Sequence, residues 1–102
     1  MKVTYTQKLK DYMMRKGYTH IVVDLVDSAT STSGFTDICG RFVKDEEAAA
    51  IAPKAARVLE GELGTVIVTA RALEYDEEIT LGLRSFFGLK DITFKGMAAF
   101  KL

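Results

Sequence analysis

Apolar and polar positions alternate with period two along most of this chain. In "KVTYT" Val3 and Tyr5 share one face and Lys2, Thr4 and Thr6 the other, which predicts a short half-buried strand. One clear stretch of helical period follows, from about Gln7 to Lys16. There Leu9, Tyr12 and Met13 stand at i, i+3 and i+4, Arg15 and Lys16 fill the last turn, and Gly17 supplies a left-handed cap. Thr6 is the favoured N-cap, with a Thr4–Gln7 capping box as the alternative. "HIVVDLVD" returns to period two, with Ile21, Val23 and Leu25 on one face. The opposite face, His20, Val22, Asp24 and Val26, is mixed and expected to meet solvent or a partner.

Further along, "TDICGRFV" predicts a strand that points Ile38 and Phe42 one way and Asp37, Cys39 and Arg41 the other, so Cys39 falls on the more polar face. The alanines of "DEEAAAIAPKAARVL" favour a helix, but Pro53 limits it to one or two turns. "ARVLEGELGTVIVTARAL" reads as a hairpin turning near Glu62 to Gly64. Its second arm puts Val66, Val68, Ala70 and Ala72 on one face and Thr65, Thr69 and Arg71 on the other, with Ile67 as the apolar exception. "EITLGLRSF" places Ile79, Leu81 and Leu83 inward and "DITFKG" does the same with Ile92 and Phe94, with "FFGLK" as the turn between them. The apolar end "MAAFKL" is expected to dock on the domain or on a neighbouring subunit. Six or seven strands, one clear helix and no βαβ alternation predict a mainly β (α+β) class. The expected architecture is a compact, mainly antiparallel sheet with an N-terminal strand–helix unit, one domain over residues 1–102.

Composition narrows the function classes. Fourteen basic residues balance 14 acidic ones, so no net charge draws the chain to nucleic acid or an anionic membrane. No apolar run reaches the roughly 20 residues of a membrane helix, and the N-terminal stretch lacks the apolar core of a secretory signal, so a cytoplasmic location is expected. One cysteine cannot close an internal disulfide or supply a conventional metal site on its own.

Candidate chemistry is thin. The richest stretch is the hydroxyl run after the second strand, where Thr30, Ser31, Thr32 and Ser33 precede Gly34 and Phe35. A glycine able to take a positive φ among hydroxyl and backbone donors suits a loop that binds a small anion or a protein partner. Cys39 is the candidate thiol or metal ligand, with Arg41 the only visible group to lower its pKa. His20 and Asp24 share a strand face but lie about 13 Å apart along it, so they form no pair, and a surface histidine is expected. Asp24 and Asp27 beside the hydroxyl run lack a second histidine or an activated serine. The acidic triplets at Asp45–Glu47 and Asp76–Glu78 are expected to be solvated. The aromatics of "RSFFGLK" are expected to anchor a turn rather than to stack on bases.

The order "VTYTQKLKDYMMRKG", "IVVDLVDSATSTSGFTD", "GTVIVTARAL" and "EITLGLRSFFGLKDITFKG" resembles the HesB-like family, the A-type iron–sulfur carriers, and is most similar to its CC/Se-motif offshoot. The resemblance covers roughly Val3 to Gly96 and implies a compact β-rich fold with a functional loop after the second strand. Against the carriers' Cys-Ser-Gly-Phe loop this chain has Thr32, Ser33, Gly34 and Phe35, and the offshoot's paired cysteines fall near Thr30 and Ser31. The carriers' C-terminal Cys-Gly-Cys has no counterpart in "FKGMAAFKL". Hydroxyls are poor iron ligands beside thiolates, so the family's cluster chemistry is expected to be lost. The resulting expectation is a non-catalytic domain with no cofactor and no metal site, binding a protein partner or small ligand and able to form a homodimer. The alternatives are an iron–sulfur or metal carrier using Cys39 across a dimer, and a small thiol redox protein.

Overall fold

The predicted helix forms between its two predicted caps. In the structure, a computed structural model that describes residues 2–27, 36–71, 73–86 and 88–99, strand β1 (Lys2–Tyr5) leads into α1 (Gln7–Lys16). Thr6 is extended and its hydroxyl oxygen accepts from the Leu9 N–H at 3.3 Å. Gly17 ends the helix at a φ of 77°, a conformation that strains any residue with a Cβ. Leu9 and Met13, on the predicted inner face, are fully buried.

The remaining order is β2 (His20–Asp27), β3 (Thr36–Val43), α2 (Asp45–Ile51), a short 3-10 turn (Ala52–Lys54), β4 (Arg57–Glu60), β5 (Thr65–Val68), β6 (Leu73–Phe86) and β7 (Leu89–Ala99). The mainly β, α+β class is as expected. The strands form a three-stranded sheet, β1-β6-β7, and a four-stranded sheet, β3-β2-β5-β4. The successive pairs β2–β3, β4–β5 and β6–β7 are antiparallel as predicted. However, β1 runs parallel to β6 and β2 parallel to β5, so both sheets are mixed. These parallel neighbours are distant in sequence, and local alternation reports a strand's buried face but not its partner.

The two sheets share one core. Tyr5, Ile79 and Leu81 from the first meet Ile21, Val23, Val66 and Val68 from the second, with Leu9 and Met13 of α1 closing it. The other face of the four-stranded sheet is covered too, which corrects the expectation that the mixed face of β2 meets solvent or a partner. Val22, Val43 and Ile67 pack there beneath Ala48 of α2. Ile67 thus ceases to be an exception, because its strand is buried on both faces. Helix α2 stops before Pro53 as predicted. Of the apolar end, Met97, Ala98 and Ala99 pair with Tyr75, Glu74 and Leu73 within the chain, and Phe100, Lys101 and Leu102 lie outside the described residues. Among the described residues no helix is long and apolar enough to cross a membrane.

Candidate functional site

The hydroxyl run Thr30, Ser31, Thr32, Ser33, Gly34 and Phe35 lies outside the described residues. Its ends are fixed, because Asp27 pairs with Thr36 and residues 28–35 therefore connect the two strands of one antiparallel hairpin. Phe87 is also outside the described residues. The triplet Asp76–Glu78 is exposed, as expected.

Cys39 is exposed on β3, on the sheet face that α2 covers only at Val22, Val43 and Ile67, and it stands opposite Asp24 of β2. Asp24 accepts from the Thr69 hydroxyl and lies 3.8 Å from Arg41 Nε. Cys39 also borders a concavity of about 390 Å³, where Arg84 and Asp91 form an ion pair at 3.3 Å. Among the described residues no three His, Cys, Asp or Glu side chains converge in a way that could hold a metal ion.

His20 is not the surface histidine that its strand pattern predicts. Its side chain is only 17% exposed and joins two elements to β2. The Thr65 backbone N–H donates to His20 Nδ1 at 3.1 Å, which makes Nδ1 an acceptor and places the ring proton on Nε2. Nε2–H then donates to Asp45 Oδ1 at 2.6 Å, and the Thr19 hydroxyl donates to the same oxygen at 3.0 Å. These hydrogen bonds hold the Asp45 carboxyl below the usual aspartate range, the His20 bond contributing most. The Thr65 hydroxyl also lies 2.8 Å from Nδ1, so hydroxyl, imidazole and carboxylate stand in the order used to activate nucleophiles. Yet the single Nδ1 lone pair is already engaged by a backbone N–H, which leaves it a poor base for the hydroxyl. The network works instead as a tie that fixes the start of α2 to β2 and β5.

That tie holds α2 where it forms one wall of a cleft of about 580 Å³, at the turn from β3 into α2. Tyr18, Phe42 and Ala50 provide its apolar lining, and Lys44, Glu46 and Glu47 its charge. The Phe42 ring stacks on Tyr18 with centroids 5.3 Å apart and meets Tyr12 of α1 at the same separation with tilted planes. All three rings are only partly buried. Sequence alternation does not reveal this cluster, since Tyr12 and Phe42 stand on two different elements, each accounted for locally by its own period, and Tyr18 lies in the connection between α1 and β2. The His20–Asp45 contact is hidden for the same reason, 25 residues apart across an unforeseen packing of α2.

Comparison with protein-family models found none that matches the chain, and comparison with curated proteins found no match.

Proposed function

We propose that the chain is a non-catalytic, HesB-like binding module of the cytoplasm, which contacts its ligand or partner protein through the cleft between β3 and α2. The observation that carries the reading is the partly buried Tyr12–Phe42–Tyr18 cluster beside an open concavity. Aromatic side chains are costly to leave partly wet, and they dominate recognition where they gather at a surface. The HesB-like part of the reading rests on the sequence resemblance, and the hydroxyls at positions 30–33 argue against cluster ligation. A screen of small organic fragments by protein NMR tests the reading. Hits should converge on the signals of Tyr18, Phe42 and Ala50 and compete with one another; hits that scatter elsewhere, or none, would contradict it.

The second reading, a metal or thiol carrier using Cys39, draws on the exposure of that residue and the guanidinium of Arg41 nearby. It requires Cys39→Ser to abolish metal uptake, and unchanged uptake removes it.

A further inference from the structure

The ring of His20 can keep its present hydrogen bonds in one protonation state only. Unprotonated Nδ1 accepts the Thr65 N–H, and Nε2–H is spent on Asp45. An imidazolium has no lone pair, so a second ring proton turns Nδ1 into a donor aimed at another donor. A replacement partner lies in reach, because the Thr65 hydroxyl oxygen stands 2.8 Å from the same nitrogen and can accept as well as donate. We infer that His20, Thr65 and Asp45 form a pH-driven hydrogen-bond exchange, in which uptake of a proton from solvent moves the Nδ1 contact from the Thr65 backbone N–H to the Thr65 hydroxyl and releases the N–H.

The surroundings favour a change of partner over loss of the ring from its site. Helix α2 brings Asp45, which keeps Nε2–H as its donor and becomes the counter-ion of the imidazolium. Asp45 is the one charged group in contact with the ring among the described residues. Lys44 and Glu46 beside it, and Glu60 of β4 opposite Thr65 in register, make no ion pair with His20. Strand β3 sets apolar Val43 opposite His20, and the turn into β5 closes over the ring, since a Cβ on Gly64 would lie 3.1 Å from Nδ1. The side chain is 17% exposed, which admits a proton but leaves the ring little room to swing away. Histidine ordinarily gains its second ring proton between about pH 5 and 8, the range in which such an exchange acts as a signal. Its effect falls on the first residue of β5, at the end of the turn whose Glu62 carboxylate accepts the Tyr5 N–H and lies 3.7 Å from Lys10 Nζ. That end of the hairpin loosens while α2 stays held, whatever occupies the cleft.

The test follows the full chain by NMR from about pH 8 to pH 5, reading the His20 ring nitrogens together with amide exchange. Nδ1 should be the unprotonated nitrogen at the alkaline end. As the second ring proton enters, the protection of the Thr65 amide should fall about three- to tenfold, the worth of one hydrogen bond, while Ala48 in α2 keeps its own. Thr65→Val, which replaces only the hydroxyl by a methyl, should make the ring take up that proton at lower pH, and Thr65→Ser should restore the wild-type titration. A proton already on Nδ1 at the alkaline end, a Thr65 amide whose protection ignores the ring, or a Thr65→Val ring that titrates like the wild type each overturns the exchange.

Discussion

Helix α1 carries its own stops: Thr6 bonds the Leu9 N–H at one end and Gly17 turns left-handed at the other. Helix α2 starts at Lys44, whose side chain makes no capping bond, and it is halted from outside by Pro53. Three acidic residues in its first turn favour the helix dipole, but the specific restraint is tertiary, from His20 and Thr19 to Asp45 and from Ala48 to the sheet. The difference teaches where order comes from in each part of the molecule. The α1 side is specified locally and anchors the main core, whereas the α2 side, which walls the cleft, depends on long-range contacts with the sheet.

The largest effect should come from the main core. Leu9→Ala removes a fully buried side chain of α1 and should cost about 2–5 kcal/mol, read as a lower urea midpoint for the whole chain. The caps give the sharper contrast at smaller size. Thr6→Ala should destabilise by about 1 kcal/mol, whereas Lys44→Ser, which gives α2 the cap that it lacks, should stabilise by about 0.5–1 kcal/mol. If Lys44→Ser is neutral and Thr6→Ala is too, the contrast between the helices is not one of capping.

The third change concerns the first strand. The Tyr5 hydroxyl is buried with no hydrogen-bond partner among the described residues, and burial, aided by the Glu62 carboxylate, pushes its pKa up to about 12. Tyr5→Phe should therefore raise stability by about 1 kcal/mol at neutral pH. A raised phenol pKa favours the protonated form in the folded chain. The wild-type stability that it supplies is complete below pH 10.0 and is lost as the pH rises toward about 12, and the variant should lack that alkaline loss.

The smallest effect is expected at Asp45, which is solvent-exposed. Its carboxyl is depressed by its hydrogen bonds, so its contribution is complete above the ordinary aspartate value of 3.8 and fades as the pH falls below it. Asp45→Ala should flatten that acid dependence. It should also speed amide exchange in α2 while leaving α1 unchanged, and equal acceleration in both helices would break the comparison.

These contrasts also mark what was legible in the sequence. The caps of α1, the inward residues Ile79, Leu81 and Ile92, and the hairpin turn before Thr65 follow from period and turn chemistry and appear where expected. The glycine of that turn has a reason the turn itself does not show: a Cβ on Gly64 would lie 2.0 Å from the carbonyl oxygen of the distant Thr19. The parallel pairings, the cover of α2 over Val22 and Ile67, and the contacts of His20 are long-range. Period two marks which face is buried but names no partner, so neither the His20 tie nor the Tyr12–Phe42–Tyr18 cluster had a local signal. Alternation put Cys39 on the more polar face of its strand but did not give its exposure, since Val43, on the same face by period, is buried.

In the proposed function this scaffold binds through its aromatic cleft and holds no iron–sulfur cluster. Its most direct test is the iron and acid-labile sulfide content of protein purified without oxygen, measured before and after reconstitution with both. The account predicts a colourless protein with substoichiometric iron and sulfide in each case; a stable cluster at stoichiometric iron and sulfide would contradict it.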